Sequence, residues 1–178
     1  MATSSLVNYL SQMTDPDDDS FKEPFTIVVG NDKWTAASDR VWFVAVRGAG
    51  SYPLWDTDED RIRNAKSLLS CTPTDAAISV STSDLLAWAR SEDDDIHPGM
   101  VAGVVVDRVR LAQLLTGLPF NNVLVWNASE VVGMACLGLA AGDRWRAFLA
   151  GLIGSVKAET TFTPNAQRST FDALMVDD

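Results

Sequence analysis

Histidine occurs once in this 178-residue chain, at His97, and cysteine twice, at Cys71 and Cys136. A single histidine gives any Ser–His or Cys–His mechanism only one possible base, and that base adjoins the acidic run Glu92-Asp93-Asp94-Asp95. The two cysteines lack metal-ligand spacing and read as free thiols of a reduced, cytoplasmic protein. The chain has no Gly-Lys-Ser/Thr phosphate loop, no His-Glu-x-x-His and no Gly-x-Ser-x-Gly elbow. Gly48-Ala49-Gly50 has no third glycine placed to open a dinucleotide-binding helix. Asp15-Pro16-Asp17-Asp18-Asp19 begins like a calcium loop, but Ser20 stands where glycine is needed and Thr26 where the bidentate glutamate is needed. The longest near-apolar run, Val131 to Gly142, falls short of the about 20 residues a bilayer requires. The first residues, MATSSLVNYLSQM, lack the basic and apolar regions of a signal peptide. These absences give the expectation of a non-enzymatic protein with no cofactor, no metal and no membrane partner.

Positive charge is also scarce: 14 Lys and Arg face 24 Asp and Glu, for a net charge of −10. The acids are unevenly placed. Three clusters, Asp15 to Asp19, Asp56 to Asp60 and Glu92 to Asp95, read as solvated loops, and Asp177-Asp178 adds to them. Outside these stretches the bases outnumber the remaining acids. A locally basic face is therefore compatible with the acidic total, because binding follows local fields.

The most informative stretch is FTIVVGNDKWTAASDRVWFVAVRG, residues 25 to 48. Gly30-Asn31 tolerates the positive φ of a tight turn, so the stretch predicts a hairpin or a three-stranded meander. Leu6, Tyr9, Leu10 and Met13 recur at helical spacing and predict a helix from Ser4 to Met13. Thr57 with Asp60 predicts a capped helix running to Ser70, with Arg61, Arg63 and Lys66 on one side. A short strand is predicted at Ala76 to Val80, and Ser81 with Asp84 opens a helix through Leu85, Leu86 and Trp88. Val101 to Val106 predicts a strand, and Asp107 caps a helix from Arg108 to Leu115. Further strands are predicted at Val123 to Trp126, Val131 to Leu139 and Trp145 to Leu152. Element order alone suggests two β-α-β-β-β units, an α+β class with a mainly antiparallel sheet and helices on one face. Residues 155–178 read as a flexible tail, with Phe162, Phe171, Leu174 and Met175 as docking anchors.

Ala37-Ser38-Asp39-Arg40-Val41, running into an apolar strand and Arg47-Gly48, resembles the Ala-Thr-Asp-Gly-His-Arg-Leu-Ala segment of bacterial DNA sliding clamps, the β subunits of DNA polymerase III. The Gly-His pair of that segment is absent here. Trp145 to Leu152, WRAFLAGL, is similar in place to the clamp strand carrying Met-Pro-Met-Arg, with Ala150 in place of proline. The β-α-β-β-β order is that of a clamp half-domain. The resemblance implies one clamp-like domain over 1–154, made of half-units at about 1–75 and 76–154, and a homo-oligomeric ring of six such domains around duplex DNA. It implies DNA-facing cations on helices, here Arg61, Arg63, Lys66, Arg108 and Arg110, and a pocket for a polymerase or clamp loader near Asp39, Arg40, Val41, Leu149, Ala150 and Leu152. Gln167-Arg168-Ser169-Thr170-Phe171 resembles the peptide by which such partners dock, which adds Gln167 and Phe171. The residues alone leave a second reading open: an acidic interaction module that binds a partner through its tail and sheet edge, with no DNA role.

Overall fold

The computed structural model describes residues 2–48 and 50–164. Helix α1 (Ala2–Ser11) leads into an antiparallel meander of β1 (Phe25–Val29), β2 (Asp32–Ser38) and β3 (Trp42–Arg47). Then follow α2 (Glu59–Ser70), β4 (Ile78–Ser81), α3 (Thr82–Ala89), the hairpin β5 (Pro98–Val101) and β6 (Val104–Asp107), and α4 (Arg108–Leu115). Last among the described residues come β7 (Asn122–Asn127), a single turn α5 (Ser129–Val132), β8 (Cys136–Ala141), β9 (Trp145–Ala150) and β10 (Thr160–Thr161). Seven strands form one antiparallel sheet in the order β1-β2-β3-β9-β8-β7-β4. The pairing of β3 with β9 joins the two halves of the chain. A small second sheet has the order β10-β5-β6.

Period-two alternation along the central strands gives the large sheet two apolar faces. Trp42, Val44 and Val46 of β3 and Trp145, Ala147 and Leu149 of β9 point to one face, where Leu6, Tyr9 and Leu10 of α1 and Leu111, Leu114 and Leu115 of α4 cover them. The Tyr9 hydroxyl donates to the Leu114 carbonyl at 2.5 Å and links the two helices. Burial holds the phenol well above its ordinary pKa, in keeping with an un-ionised donor. Phe43, Ala45 and Phe148 point to the other face, against Ala65 and Leu69 of α2.

The α+β class and the antiparallel sheet match the expectation, but the helices do not all lie on one face. Ala65 and Leu69 give α2 an apolar stripe that packs with Phe25 and Ile27, opposite α1 and α4. Three local expectations are also corrected. The run Val101 to Val106 is not one strand but straddles a hairpin turn from the end of β5 into β6, because Ala102 (φ 49°) and Gly103 (φ 78°) both adopt the left-handed conformation that a tight two-residue turn demands. The stretch from Val131 is not strand until Cys136: Asn127 Oδ1 accepts the Ser129 N–H, and Gly133 (φ 82°) closes a helical turn first. The cap of α2 is Asp58, whose carboxylate accepts the Arg61 N–H at 2.9 Å, rather than Thr57. Ser81 and Asp107 cap α3 and α4 as expected.

The expected tail is in part docked. Glu159 donates its N–H to the Pro98 carbonyl, Phe162 to that of Met100, and the Phe162 ring meets Trp88 edge-on at 5.6 Å. Residues 165–178 lie outside the described residues, and Gln167 and Phe171 with them.

Candidate functional site

The turn between β2 and β3 is built on Asp39. One carboxylate oxygen accepts the N–H groups of Val41 (3.0 Å) and Trp42 (3.1 Å), and the Ser38 hydroxyl donates to the Trp42 carbonyl (2.7 Å). Closing the turn this tightly puts Arg40 at φ 76°, a conformation uncommon for any residue but glycine, asparagine or aspartate. Its guanidinium reaches Asp18 at 2.6 Å, and Arg110 of α4 reaches the other oxygen of Asp39 at 3.2 Å. Burial raises the Asp39 pKa above the ordinary carboxylate value, against the opposing pull of its two N–H donors and Arg110.

The end of β9 is tied to this turn, because Ala150 donates its N–H to the Val41 carbonyl at 2.8 Å. The next turn of chain crosses to the small sheet, where Leu152 N–H meets the Val105 carbonyl at 2.8 Å. The six residues Asp39, Arg40, Val41, Leu149, Ala150 and Leu152 therefore converge on one place, although more than 100 positions separate the two groups in sequence. Five of them, all but Asp39, line a groove of about 700 Å³ between this turn, α4 and the acidic segment before β5. Asp39 sits behind it and orients Arg110, whose guanidinium also lies over the Trp42 ring at 5.4 Å.

Sequence reasoning missed the groove's outer wall, made by Asp94, Ile96, Val109 and Ile153. A signal was present, since Ile96 and Ile153 are aliphatic residues set among acids and glycines, where no core element was predicted. They are 64% and 85% exposed, so the mouth carries apolar surface with no partner among the described residues. An aliphatic floor, an apolar mouth and charges of both signs on the rim suit a short peptide with apolar anchors.

A second cavity, of about 250 Å³, opens on the opposite face between α2 and the sheet. Phe21, Trp55, Leu68, Phe148 and Met134 line it, and Arg40, Val41 and Ala150 border both cavities.

The five cations expected to face DNA are not brought together. Arg61, Arg63 and Lys66 lie on α2, while Arg108 and Arg110 lie on α4 across the sheet. Arg61 and Arg63 pair with Asp58 and Asp60 at 3.5 and 3.0 Å, and Arg108 pairs with Glu159 at 3.3 Å. The periodicity that marks a helix's polar side does not say which face of a sheet the helix will cover.

His97 ties the groove wall to the docked end of the chain. Its ring reaches Asp93 at 2.5 Å and Glu159 at 3.5 Å, and Glu159 also meets Arg108. The Asp93 hydrogen bond raises the His97 pKa, with Glu159 adding to the effect, while the same contact lowers that of Asp93. A raised folded-state pKa means that stability is fully present below the unfolded value of about 6.5 and is lost as pH rises through the folded value. Asp93 works the other way and loses its contribution as pH falls into the carboxylate range. Wild type should therefore out-melt His97→Gln most clearly near pH 5 to 6, and the gap should shrink above neutrality. Thermal melts of both proteins across pH 5 to 9 check this, and a gap that widens with pH would count against the assignment.

Among the described residues no helix is long and apolar enough to cross a membrane. No family model and no curated protein matches the chain. Solved structures do. The β subunit of DNA polymerase III from Thermotoga maritima aligns with a TM-score of 0.50 at 9% identity, covering 93% of this chain and 64% of that one. A putative DNA polymerase III β subunit from Eubacterium rectale aligns with a TM-score of 0.51 at 10% identity, covering 87% of this chain and 65% of that one. This chain spans just under two thirds of the length of each. The antiparallel sheet with helices packed on it thus has the fold of a DNA polymerase III β subunit, the clamp-like fold that the Asp39-Arg40 segment suggested.

Proposed function

We propose that this chain is a non-enzymatic, sliding clamp-like replication accessory protein. Copies join edge to edge in a closed ring around duplex DNA, and a polymerase or clamp loader docks in the groove at Asp39-Arg40-Val41. The observation that carries the reading is the placement of the sheet edges. β1 and β4 end the same seven-stranded sheet at opposite sides, so pairing the edge of one copy with the other edge of the next is heterologous and can close a ring. Pro53 to Trp55 cover part of β1 through hydrogen bonds with Thr26, which leaves Val28 and its neighbours as the open portion of that edge.

In such a ring the α1–α4 face meets the DNA. Its exposed residues include Asn8, Gln12, Gln113 and Thr116, with Arg110 as a cation. Neutral polar groups slide over phosphates without fixing a register, and few neutralised phosphates mean a shallow salt dependence. The test combines solution mass by light scattering with retention on closed circular against linearised DNA. A hexamer held on circles and lost from linear DNA is the expected result. A monomer across a wide concentration range, retained equally on both forms or on neither, would overturn the ring.

One observation favours the second reading, an acidic module that binds a partner protein without DNA. Helix α1 carries no Lys or Arg, and both cations of α4 are already paired. That reading predicts full partner binding by a monomer in the absence of DNA.

A further inference from the structure

The cavity between α2 and the sheet is apolar, and Arg40 and Arg61 are the only charged residues among those that line it. Both side chains remain substantially exposed, at 66% and 42%, so each can take a second carboxylate besides Asp18 or Asp58. Met134, one of the lining residues, keeps 53% of its surface exposed. At about 250 Å³ the space is below the usual range for small-molecule pockets and accommodates one or two side chains.

We propose that the occupant is this chain's own segment 165–178, with the apolar part of Phe171-Asp172-Ala173-Leu174-Met175 in the cavity and the segment's aspartates facing Arg40 and Arg61. The composition fits on both counts: Phe171, Leu174, Met175 and Val176 are interleaved with Asp172, Asp177 and Asp178, against a single cation, Arg168. The path fits as well. The described chain runs out at Pro164, just after Phe162 is tied to Met100 on β5. The β5–β6 hairpin ends beside the cavity: Val104 packs against Gly151, and Gly151 donates its N–H to the carbonyl of Ala135, a lining residue. Six residues lie between Pro164 and Phe171, and the seven steps reach up to about 25 Å when extended. A tethered segment has an effective concentration near the millimolar range, so even a weak intrinsic affinity keeps the cavity filled. Because Arg40 borders both cavities, an occupied α2 cavity fixes the arginine at the rim of the partner groove. The inference rests on the cavity and the sequence alone and stands whether or not the chain encircles DNA.

A labelled peptide of residues 165–178 is titrated against the full chain and against a chain lacking those residues. The truncated chain should bind the peptide at least tenfold more tightly than the full chain, which blocks its own cavity. Phe171→Ala in the peptide, and Met134→Glu in the truncated chain, should each weaken binding tenfold or more. Met134 is largely exposed, so that substitution leaves folding intact. Equal affinity of the full and truncated chains, no binding to the truncated chain, or binding indifferent to Met134→Glu would each overturn the proposal. So would a full chain that light scattering shows to be dimeric when the truncated chain is monomeric, since the segment would then sit on a second copy.

Discussion

Replacing Gly138 by alanine is expected to destabilise the protein by about 3 kcal/mol, at the upper end of overpacking costs. Gly138 lies mid-strand in β8, directly opposite Trp126 of β7, and the indole lies flat over it. A Cβ at 138 would stand 2.3 Å from Trp126 Cε2 and 2.6 Å from Cζ2, well inside van der Waals contact. The ring has no room to retreat, because Trp126 is 2% exposed and is met edge-on by Phe148 at 6.1 Å. This glycine is needed for space rather than for its dihedral freedom. For a chain of this length such a loss lowers the melting temperature by roughly 6 to 12 °C. Trimming the ring should restore part of it: Gly138→Ala with Trp126→Leu should lose less than the sum of the two single variants, because the two sites share one volume. A Gly138→Ala protein that melts within 2 °C of wild type would show that the sheet flexes at β7–β8 more easily than this packing implies.

What could be read in the sequence follows from where the information sits. Gly30-Asn31 between two β-prone runs specified the first hairpin, and its register of Val29 against Asp32 is that of a two-residue turn. The caps Ser81 and Asp107 were legible because capping is decided within four residues. The turn at Ala102-Gly103 was not, because alanine at positive φ breaks the local rule and the β-branched run conceals it. Position relative to the sheet was also hidden. Arg61 and Arg110 each lie on an amphipathic helix, but only the packing of Leu69 with Phe25, and of Leu111 with the α1 side, puts them on opposite faces. The groove residues, unlike the cations, do come together, because Asp39-Arg40-Val41 and Leu149-Ala150-Leu152 lie at strand ends. Once β3 pairs with β9, the match of Trp42 with Leu149 brings the two segments together.

Asp39→Ala is expected to cost about 2 kcal/mol, whereas Asp39→Asn should cost much less at neutral pH. Alanine removes the acceptor that holds two backbone N–H groups, at about 1.5–3 kcal/mol for each bond to a charged group. The carboxylate, however, also carries a burial penalty that these bonds and Arg110 do not fully offset, as its raised pKa records. Its charged form is therefore less favoured in the folded state than in the unfolded one. Stability from this group is present at low pH and declines as pH rises through the folded pKa. Asparagine keeps an acceptor oxygen and drops the charge, so Asp39→Asn should gain on wild type between pH 4 and pH 7, as urea titrations at the two pH values would show. A loss that grows with pH would mean that the Arg110 pair outweighs burial. Arg40→Gly completes the argument. Relieving a left-handed non-glycine residue is worth roughly 1–2 kcal/mol, the added chain entropy of glycine returns up to about 1 kcal/mol, and the solvent-screened Asp18 pair adds little. The net change should stay within about 1 kcal/mol. An arginine that does so little for the turn, in a conformation where glycine serves equally well, instead borders two cavities, the groove beside α4 on one side and the α2 cavity on the other.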